Sequence, residues 1–339
     1  MVKVAIIGLG KMGMSHCAIL GAHPDVELVG MCDPDSLLQS AFKKLTKIAC
    51  YTDYQKMINE TKPDAVYVVT PTKLHEEMVV YALEHGCHVF CEKPFSLTEK
   101  DGQIMVEAAK KYGKVNQVGY HNRFIGTFVE AKRLMDAGVI GKPFHFMGEA
   151  YGPVVLKRKG GTWRSDKKAG GGCVMDYAAH VLNLINYICS SPIVKVAGTS
   201  MPSIFSAEVD DAVYSTLTLE NGLKGQLSVC WSDDTVRKMT TSLKIEGDGG
   251  KIFVDATTLK VYVKEDNPKE GLVKGWNEKH IPELAPIVFF NLRGEEYSEE
   301  TDKFIKCIKE NKMSDRNSFE EAYKTDQIIN ALMEDAKNG

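Results

Sequence analysis

The chain has 339 residues, of which 44% are hydrophobic and 26% are charged, a composition typical of a soluble globular protein. Its formal net charge of −3 gives no basic excess for nucleic acid, and no apolar run reaches the roughly 20 residues that cross a bilayer. This length predicts two domains, and we expect the partners to be small molecules or further copies of the chain.

The first predicted strand begins near the amino terminus and breaks at Gly8. The break comes too early for the hydrophobic region of a signal peptide, so we expect a cytoplasmic protein. Nine cysteines are scattered without a pairing pattern. Cys87 and Cys91 lie near His85 and His88, but no second ligand pair has zinc spacing. The sequence therefore predicts neither a disulfide framework nor a metal site.

Short apolar runs alternate with helical periodicity up to about residue 122. The predicted strands are 4–8, 26–32, 65–70, 88–91 and 114–119, and helical spacing is found at 76–83 and 103–110. Near-continuous apolar runs suit parallel strands that are covered on both faces. Residues 1–122 are therefore predicted to form a Rossmann domain, a doubly wound parallel sheet that binds a nucleotide.

A glycine turn follows the first predicted strand and opens a helix. Gly8, Gly10 and Gly13 match the pattern G-x-G-x-x-G, with Lys11 and Met12 inside it. The glycines allow a tight turn in which backbone N–H groups and the helix dipole can meet a pyrophosphate. We assign all five residues to cofactor binding.

Asp33 ends the second predicted strand, twenty residues past Gly13. Its carboxylate can accept hydrogen bonds from both adenosine ribose hydroxyls but would repel a 2′-phosphate, so NAD is favoured over NADP. The alternative is a simple turn with a helix cap. Thr70 and Pro71 end the third strand and are predicted to border the same cofactor crevice. His75 either joins them or is a surface histidine in the first turn of a helix.

Lys93 stands at the end of the fourth predicted strand, between Glu92 and Pro94. Because Pro94 lacks an N–H and restricts Lys93 to extended backbone, the strand stops there and presents the lysine at its carboxyl edge. Open parallel sheets bind ligands at that edge, so we assign Glu92 and Lys93 to the cofactor site. An ammonium group there can stabilise a developing alkoxide on a substrate, although most lysines are merely solvated.

Beyond Arg123 the composition changes, and residues 123–339 are predicted to form an α/β domain on one largely antiparallel sheet. The predicted strands are 213–219, 223–231, 241–246, 251–254 and 259–263, joined by hairpin turns at 220–222 and 247–250. The predicted helices are 128–137, 174–188, 300–309 and 319–333.

Three glycines at 170–172 precede the predicted helix that carries Asp176 and His180, four residues apart. At that spacing both side chains project from one face of a helix and can address one ligand. A neutral imidazole can take the proton of an alcohol, an effect worth about 10² to 10⁴ in rate. Asp176 could orient the substrate or hold the histidine. The alternative is an Asp–His pair on the surface of an amphipathic helix.

The loop before this helix is basic. Residues 157–168 carry six basic side chains against Asp166, a net charge of +5: Lys157, Arg158, Lys159, Arg164, Lys167 and Lys168. Focused positive charge favours phosphate or carboxylate, whereas many such runs are only solvated. An anionic sugar (a sugar phosphate, uronate or sugar nucleotide) and a neutral polyol both remain open as substrates.

The glycine turn, the Glu92-Lys93-Pro94 segment, and the glycine triplet before Asp176 and His180 together resemble the glucose-fructose oxidoreductase and inositol dehydrogenase family (Gfo/Idh/MocA) over nearly the whole chain. The resemblance implies a second domain with an open sheet that often forms oligomer contacts, so we expect a homodimer or homotetramer. It places Lys93, Asp176 and His180 at the catalytic positions of the family.

The resemblance extends to His16, to the Asn122-Arg123-Phe124 segment and to Trp163-Arg164. It implies the following substrate-binding residues: Lys93, Tyr120, Asn122, Arg123, Trp163, Arg164, Asp176 and His180. One departure is Asn183, since many members have aspartate three residues after the catalytic histidine. That departure bears on which substrate is bound.

We therefore expect an NAD-dependent oxidoreductase that transfers a hydride between nicotinamide and a secondary hydroxyl of a sugar, a cyclitol or an anionic sugar derivative. The expectation requires Lys93 and His180 to flank the same pocket. The alternatives are an NAD-using glycosidase of the same fold, a non-catalytic regulator that senses nucleotide or sugar, and a reductase that runs in the opposite direction.

Overall fold

A computed structural model describes residues 1–158 and 163–338, and of Trp163 it describes the backbone alone. The chain divides into two compact units. Unit 1 holds residues 1–121 and 287–323, and unit 2 holds the described residues of 122–286 and 324–338. The predicted division after residue 122 lies next to the first of these breaks, but it placed 287–323 in the second domain.

The described residues form fourteen strands, numbered β1 to β14: Val2–Ile7, Val26–Cys32, Cys50–Tyr51, Ala65–Val68, His88–Cys91, Asn116–Val118, Pro143–Tyr151, Ile193–Ser200, Ala212–Leu219, Lys224–Cys230, Thr240–Gly247, Gly250–Asp255, Thr258–Val263 and Gly275–His280. They also form ten α-helices, α1 to α10: Lys11–Ala22, Ser36–Thr46, Tyr54–Thr61, His75–Glu84, Glu99–Tyr112, Gly126–Asp136, Ala179–Ile188, Ile281–Leu284, Glu295–Glu310 and Phe319–Asn338. A π-helical segment, Val174–Ala178, leads into α7.

The sheet of unit 1 is parallel throughout, with the strand order β3-β2-β1-β4-β5-β6. This order confirms the predicted Rossmann topology. The order reverses between β1 and β4, so the carboxyl ends of these two strands border the crevice in which such sheets bind ligands.

One face of this sheet is covered by a cluster of aromatic side chains, one of which comes from a helix late in the chain. Tyr67 of β4 and Phe90 of β5 stack with ring centroids 4.4 Å apart, and Phe304 of α9 packs edge-on against both rings. Phe304 and Ile305 belong to the same buried core as β1 and α1. Burial of each large apolar side chain contributes about 1.5–3 kcal/mol, which explains why residues 287–323 join unit 1.

The sheet of unit 2 has the order β14-β13-β12-β11-β7-β10-β9-β8. Its neighbouring strands are antiparallel except β7 and β10, which run parallel, so the prediction of a largely antiparallel sheet is confirmed. Side chains along β11 to β13 alternate between buried and part-exposed positions, as expected for a sheet with one covered face. Helices α6 and α7 cover that face.

Within the described ranges, every helix is too short or too polar to cross a membrane. The same ranges contain no group of three or more His, Cys, Asp and Glu side chains placed to hold a metal ion.

Candidate active site

In the glycine turn after β1, the α-carbons of two glycines lie so close to backbone carbonyl groups that a side chain would not fit. Gly8 has φ +96°, and a Cβ added there would lie 2.3 Å from the Val69 carbonyl oxygen. A Cβ on Gly13 would lie 2.0 Å from the Gly8 carbonyl oxygen. Gly10, by contrast, has no neighbouring atom within 4 Å of an added Cβ, and Lys11 and Met12 begin α1 beside it. The turn therefore leaves a side-chain-free approach to the first N–H groups of the helix, where a pyrophosphate is stabilised.

Asp33 lies half-buried just after β2. Its Oδ2 accepts a hydrogen bond from the Leu9 N–H at 2.7 Å, and its Oδ1 accepts one from the Asp35 N–H at 2.9 Å. The first of these bonds ties the carboxylate to the glycine turn. Each oxygen keeps a further lone pair, so the geometry fits acceptance from the ribose hydroxyls of NAD.

His75 begins α4 and is buried, so the alternative of a surface histidine is wrong. Its Nε2 is 2.9 Å from the Thr70 carbonyl oxygen and its Nδ1 is 3.2 Å from that of Phe95. Burial lowers the pKa of the ring, against the opposing effect of the two carbonyl groups. His75 therefore joins the turn after β4, in which Thr70 is half-buried and Pro71 is exposed, to the segment that follows Lys93.

Lys93 follows β5, half-buried, with a cis peptide bond to Pro94. Its N–H donates to Oε2 of Glu92 at 3.0 Å. Oε1 of Glu92 is 2.7 Å from Nε2 of His16, a residue of α1. Both oxygens of Glu92 are thus engaged by protein groups at the strand edge, and a direct contact of this carboxylate with the cofactor stays a prediction.

The chemistry predicted for unit 2 centres on the residues before and within α7. Asp176 is 4% exposed and His180 is 2% exposed, so the alternative of an Asp–His surface pair is wrong. Oδ2 of Asp176 accepts a hydrogen bond from Nε of Arg164 at 2.8 Å. Buried carboxylates remain ionised when they are paired in this way. Asp176 is therefore suited to act as a fixed anion with its charge balanced by Arg164.

The predicted helix over 174–188 is correct in extent but begins as a π-helix, and His180 lies just past the junction with α7. π-segments occur mostly as single turns within α-helices and are frequent at functional sites. This one is held at its start by Asp210, whose Oδ2 accepts the Val174 N–H at 2.7 Å. Gly172 has φ +121°, and an added Cβ would lie 2.5 Å from Oδ1 of Asp210. Gly172 therefore makes room for this carboxylate, a role that the sequence did not indicate.

Arg123 is fully buried, and its guanidinium group binds Asn183 of α7. Nε donates to the Asn183 side-chain oxygen at 2.6 Å, and Nη2 donates to its backbone carbonyl at 3.1 Å. The guanidinium also lies over the Tyr187 ring, 5.1 Å from the centroid. Arg123 therefore fixes the helix that carries His180, and the departure at Asn183 is an internal contact of unit 2.

The remaining predicted substrate residues are placed as follows. Tyr120 is buried, and its backbone carbonyl accepts a hydrogen bond from Nδ2 of Asn317 at 2.9 Å. Asn122 is 4% exposed. The side chain of Trp163 and the whole of Lys159 lie outside the described residues. The basic residues Lys157, Arg158, Lys167 and Lys168 are exposed.

A family model described as "Oxidoreductase family, NAD-binding Rossmann fold" (GFO_IDH_MocA) matches residues 2–120. A second, "GFO/IDH/MocA C-terminal domain", matches residues 128–253. The chain is 31% identical to D-glucoside 3-dehydrogenase of Escherichia coli (strain K12) over 243 residues, which are 65% of this chain and 67% of that protein.

It is also 27% identical over 315 residues to myo-inositol 2-dehydrogenase of Thermotoga maritima, covering 91% of this chain and 88% of that one. A solved structure of levoglucosan dehydrogenase in complex with NADH has the same fold, with a TM-score of 0.89 at 23% identity, covering 99% of this chain and 97% of that one.

Proposed function

The chain belongs to the Gfo/Idh/MocA oxidoreductase family and is an NAD-dependent dehydrogenase of sugars or cyclitols, and from this premise we propose that it oxidises a secondary hydroxyl of a neutral cyclic polyol. The observation that carries the proposal is Lys93 at the carboxyl edge of the parallel sheet, two strands from the glycine turn. Open α/β sheets bind their ligands outside the carboxyl ends of the strands, which is where Lys93 lies.

His180 is the general base of the proposed reaction and takes the proton of the substrate hydroxyl through its imidazole. Lys93 donates a hydrogen bond to the same oxygen and stabilises the negative charge that develops on it. Asp176, with its charge balanced by Arg164, accepts hydrogen bonds from the substrate and orients it. When bound, NAD supplies the hydride acceptor.

A neutral substrate is supported by the way in which the basic residues are placed. Arg164 is committed to Asp176, and the other described basic residues of the loop, Lys157, Arg158, Lys167 and Lys168, are exposed as solvated side chains are. D-Glucoside 3-dehydrogenase and myo-inositol 2-dehydrogenase, two relatives of this chain, carry the names of neutral substrates. These observations favour a pyranoside or a cyclitol over a sugar phosphate, uronate or sugar nucleotide.

The test is an absorbance assay of NAD reduction with four groups of compounds: inositols, alkyl glucosides, sugar phosphates and nucleotide-linked sugars. We expect turnover with at least one inositol or glucoside and a higher kcat/KM for it than for any anionic compound. Turnover confined to anionic sugars would overturn the choice of substrate. Release of free sugar from a glycoside without net NADH would identify the glycosidase alternative, and NAD binding without turnover would identify a regulator.

We further propose that the protein is a homodimer or homotetramer that works in the cytoplasm. The assembly would use the uncovered face and edges of the eight-stranded sheet, where Tyr214, Val194 and Trp276 are 41%, 60% and 59% exposed. All nine cysteines are free thiols, which suits a reducing compartment. Light scattering after gel filtration tests the assembly, and a monomer at micromolar concentration would contradict it.

A further inference from the structure

On the premise of the dehydrogenase proposed above, we infer that Glu92 is a positioning residue for Lys93, held as an ionised carboxylate by His16 and seated against the bare α-carbon of Gly119. This role differs from the direct cofactor contact that the sequence predicts for Glu92. In the inferred role, Glu92 fixes the backbone of Lys93 and places a negative charge beside the lysine.

The first observation is that both carboxylate oxygens of Glu92 have a defined partner. Glu92 is 8% exposed and His16 is fully buried. Oε1 is 2.7 Å from Nε2 of His16, and Oε2 accepts the Lys93 N–H at 3.0 Å. An ionised carboxylate can only accept hydrogen bonds, so Nε2 of His16 carries the proton of this bond. One oxygen thus anchors the carboxylate to α1, and the other anchors the backbone from which the lysine side chain extends.

The second observation is a cradle for the carboxylate at the end of β6. A Cβ added to Gly119 would lie 3.1 Å from Cδ and Oε2 of Glu92 and 3.2 Å from Oε1. These three carboxylate atoms are the nearest neighbours of that position. The Gly119 N–H donates to the Cys91 carbonyl at 2.9 Å, so the glycine is itself fixed to the end of β5. A Cβ at position 119 would therefore press on the Glu92 carboxylate, which could remain only by shifting slightly.

The third observation concerns the groups that surround Glu92. Burial opposes its ionisation, but the hydrogen bond from His16 and the nearby charges of His16 and Lys93 hold its pKa below the usual range. His121 also faces Glu92, and burial lowers the pKa of that imidazole to about 3, so it is neutral at physiological pH. Tyr297 stacks on His121, with ring centroids 4.6 Å apart, and Arg293 lies over the Tyr297 ring.

Glu300 of α9 is a second buried carboxyl group in the same part of unit 1, and its pKa is shifted in the opposite direction to that of Glu92. It is 1% exposed, and in the described part of the chain neither of its oxygens has a hydrogen-bond partner. Burial, followed by the charges of Glu92 and Glu296, raises its pKa well above the usual range. The direction of this shift favours the protonated form of Glu300, whereas the shift at Glu92 favours the anion beside Lys93.

This contrast supplies a matched pair of variants, Glu92→Gln and Glu300→Gln, to be compared by steady-state kinetics with NAD and the substrate found in the assay above. We expect Glu92→Gln to lower kcat by about 10- to 100-fold through loss of the fixed position, with the KM for NAD unchanged. Glu300→Gln changes a buried carboxyl group that has no hydrogen-bond partner among the described residues, so it should leave kcat unchanged.

Equal effects of the two variants, or an unchanged kcat in Glu92→Gln, would overturn the role of Glu92. If Glu92→Gln does not fold, His16→Gln and His16→Leu carry the same test, since only glutamine keeps an N–H donor for the carboxylate. We expect His16→Leu to lose kcat and His16→Gln to retain most of it. A wild-type protein that reduces no NAD with any polyol would defeat the proposed function itself, an outcome that these variants do not share.

Discussion

Two charged side chains predicted for the site, Asp176 and Glu92, are each held by a partner that fixes their position. Asp176 is bound by Arg164 and Glu92 by His16. In a water-excluded environment such charge-assisted hydrogen bonds are stronger than at the surface, and the groups need little rearrangement when charge develops on a substrate. Substitutions should therefore lower the rate of the chemical step more than the affinity for NAD.

We predict that Lys93→Ala and His180→Ala each lower kcat/KM by about 10² to 10⁴, because each removes a group that acts on the reacting oxygen. The dissociation constant for NAD, measured by fluorescence titration, should stay close to the wild-type value. If both residues serve one reacting centre, the double variant should lose much less than the product of the two single losses.

Lys73 and His145 supply the matched controls, since the first is exposed and the second is part-exposed on the sheet of unit 2. Lys73→Ala and His145→Ala should retain wild-type activity. Independent, multiplicative losses for Lys93→Ala and His180→Ala would show that the two residues do not act at the same centre.

For single residues, the sequence predicts which residues serve the site better than it predicts which residues they contact. The spacing of the glycines, and of Asp176 and His180, is a local signal that can be read along the chain. The contact between His16 and Glu92 joins residues 76 positions apart, and that between Arg123 and Asn183 joins residues 60 apart. Such pairs depend on how strands and helices meet, so the sequence indicated neither bond, and His75 could be placed on either side of the burial boundary.

At the scale of the elements, the glycine turn after β1 contains two glycines with different predicted roles. Gly13 serves folding, and Gly10 serves NAD binding. We predict that Gly13→Ala lowers the free energy of unfolding by about 1–3 kcal/mol, because its methyl group would overlap the Gly8 carbonyl. Gly10→Ala meets open space and should leave the stability unchanged while weakening NAD binding, because its methyl group occupies the approach to the helix terminus.

Urea unfolding and NAD titration of both variants check this prediction. Gly113→Ala is unsuitable as a control because its φ of +60° strains any side chain. Gly21→Ala, in the same helix with its nearest side-chain atom 3.8 Å away, provides the comparison. A stable Gly13→Ala, or a Gly10→Ala with wild-type NAD affinity, would contradict the division of roles.

The start of the π-segment provides a pH-dependent prediction from two adjacent aspartates. Burial raises the pKa of Asp210 to about 6, despite the hydrogen bond from Val174. Burial also opposes ionisation of Asp211, but donors from Ser206, Trp231 and Phe205 outweigh it and lower its pKa below the usual 3.8. A raised carboxyl pKa means that the folded state holds the proton more tightly, so stability falls as the pH rises from about 4 through about 6.

We therefore predict that Asp210→Asn gains stability relative to the wild type between about pH 5 and about pH 7, since the variant does not ionise. Asp211→Asn should be less stable than the wild type by an amount that stays constant over the same interval. That deficit should shrink only as the pH falls below 3.8, where Asp211 of the unfolded wild-type chain takes up a proton before the folded carboxylate does. Chemical denaturation at both pH values measures each difference, and a flat response of Asp210→Asn would contradict the assigned burial.

The elements themselves were predicted unevenly, for reasons of burial. The strands of the parallel sheet are buried on both faces and read as apolar runs, so β1, β2, β4 and β5 were found. The edge strands β8 and β14 were not predicted because much of each is exposed and their side chains lack the expected alternation of apolar and polar residues. The short strand β3 has two residues, too few for any periodicity.

At the scale of the whole molecule, unit 1 depends on residues from both ends of the chain. We predict that a polypeptide of residues 1–122 alone will fail to unfold cooperatively in urea, because the face formed by Tyr67 and Phe90 lacks Phe304. Residues 1–121 joined by a glycine-serine linker to 287–323 should unfold in one transition and bind NAD.

Circular dichroism and calorimetric NAD titration distinguish the two polypeptides. Equal stability and equal NAD affinity would show that α9 adds nothing to unit 1. The sequence predicted a helix near α9 but assigned it to the second domain, because nothing in the local pattern of 300–309 says which sheet its apolar stripe covers.

The chain returns to unit 1 only at residue 287, and this late return affects the order in which unit 1 can fold during synthesis on the ribosome. Synthesis is vectorial, so the first 121 residues emerge long before the helix that seals their aromatic face. During that interval the nascent chain exposes the aromatic face of Tyr67 and Phe90 to solvent, and exposed apolar surface of this kind promotes aggregation. The aromatic core of the nucleotide-binding unit can therefore be completed only after Phe304 has been synthesised.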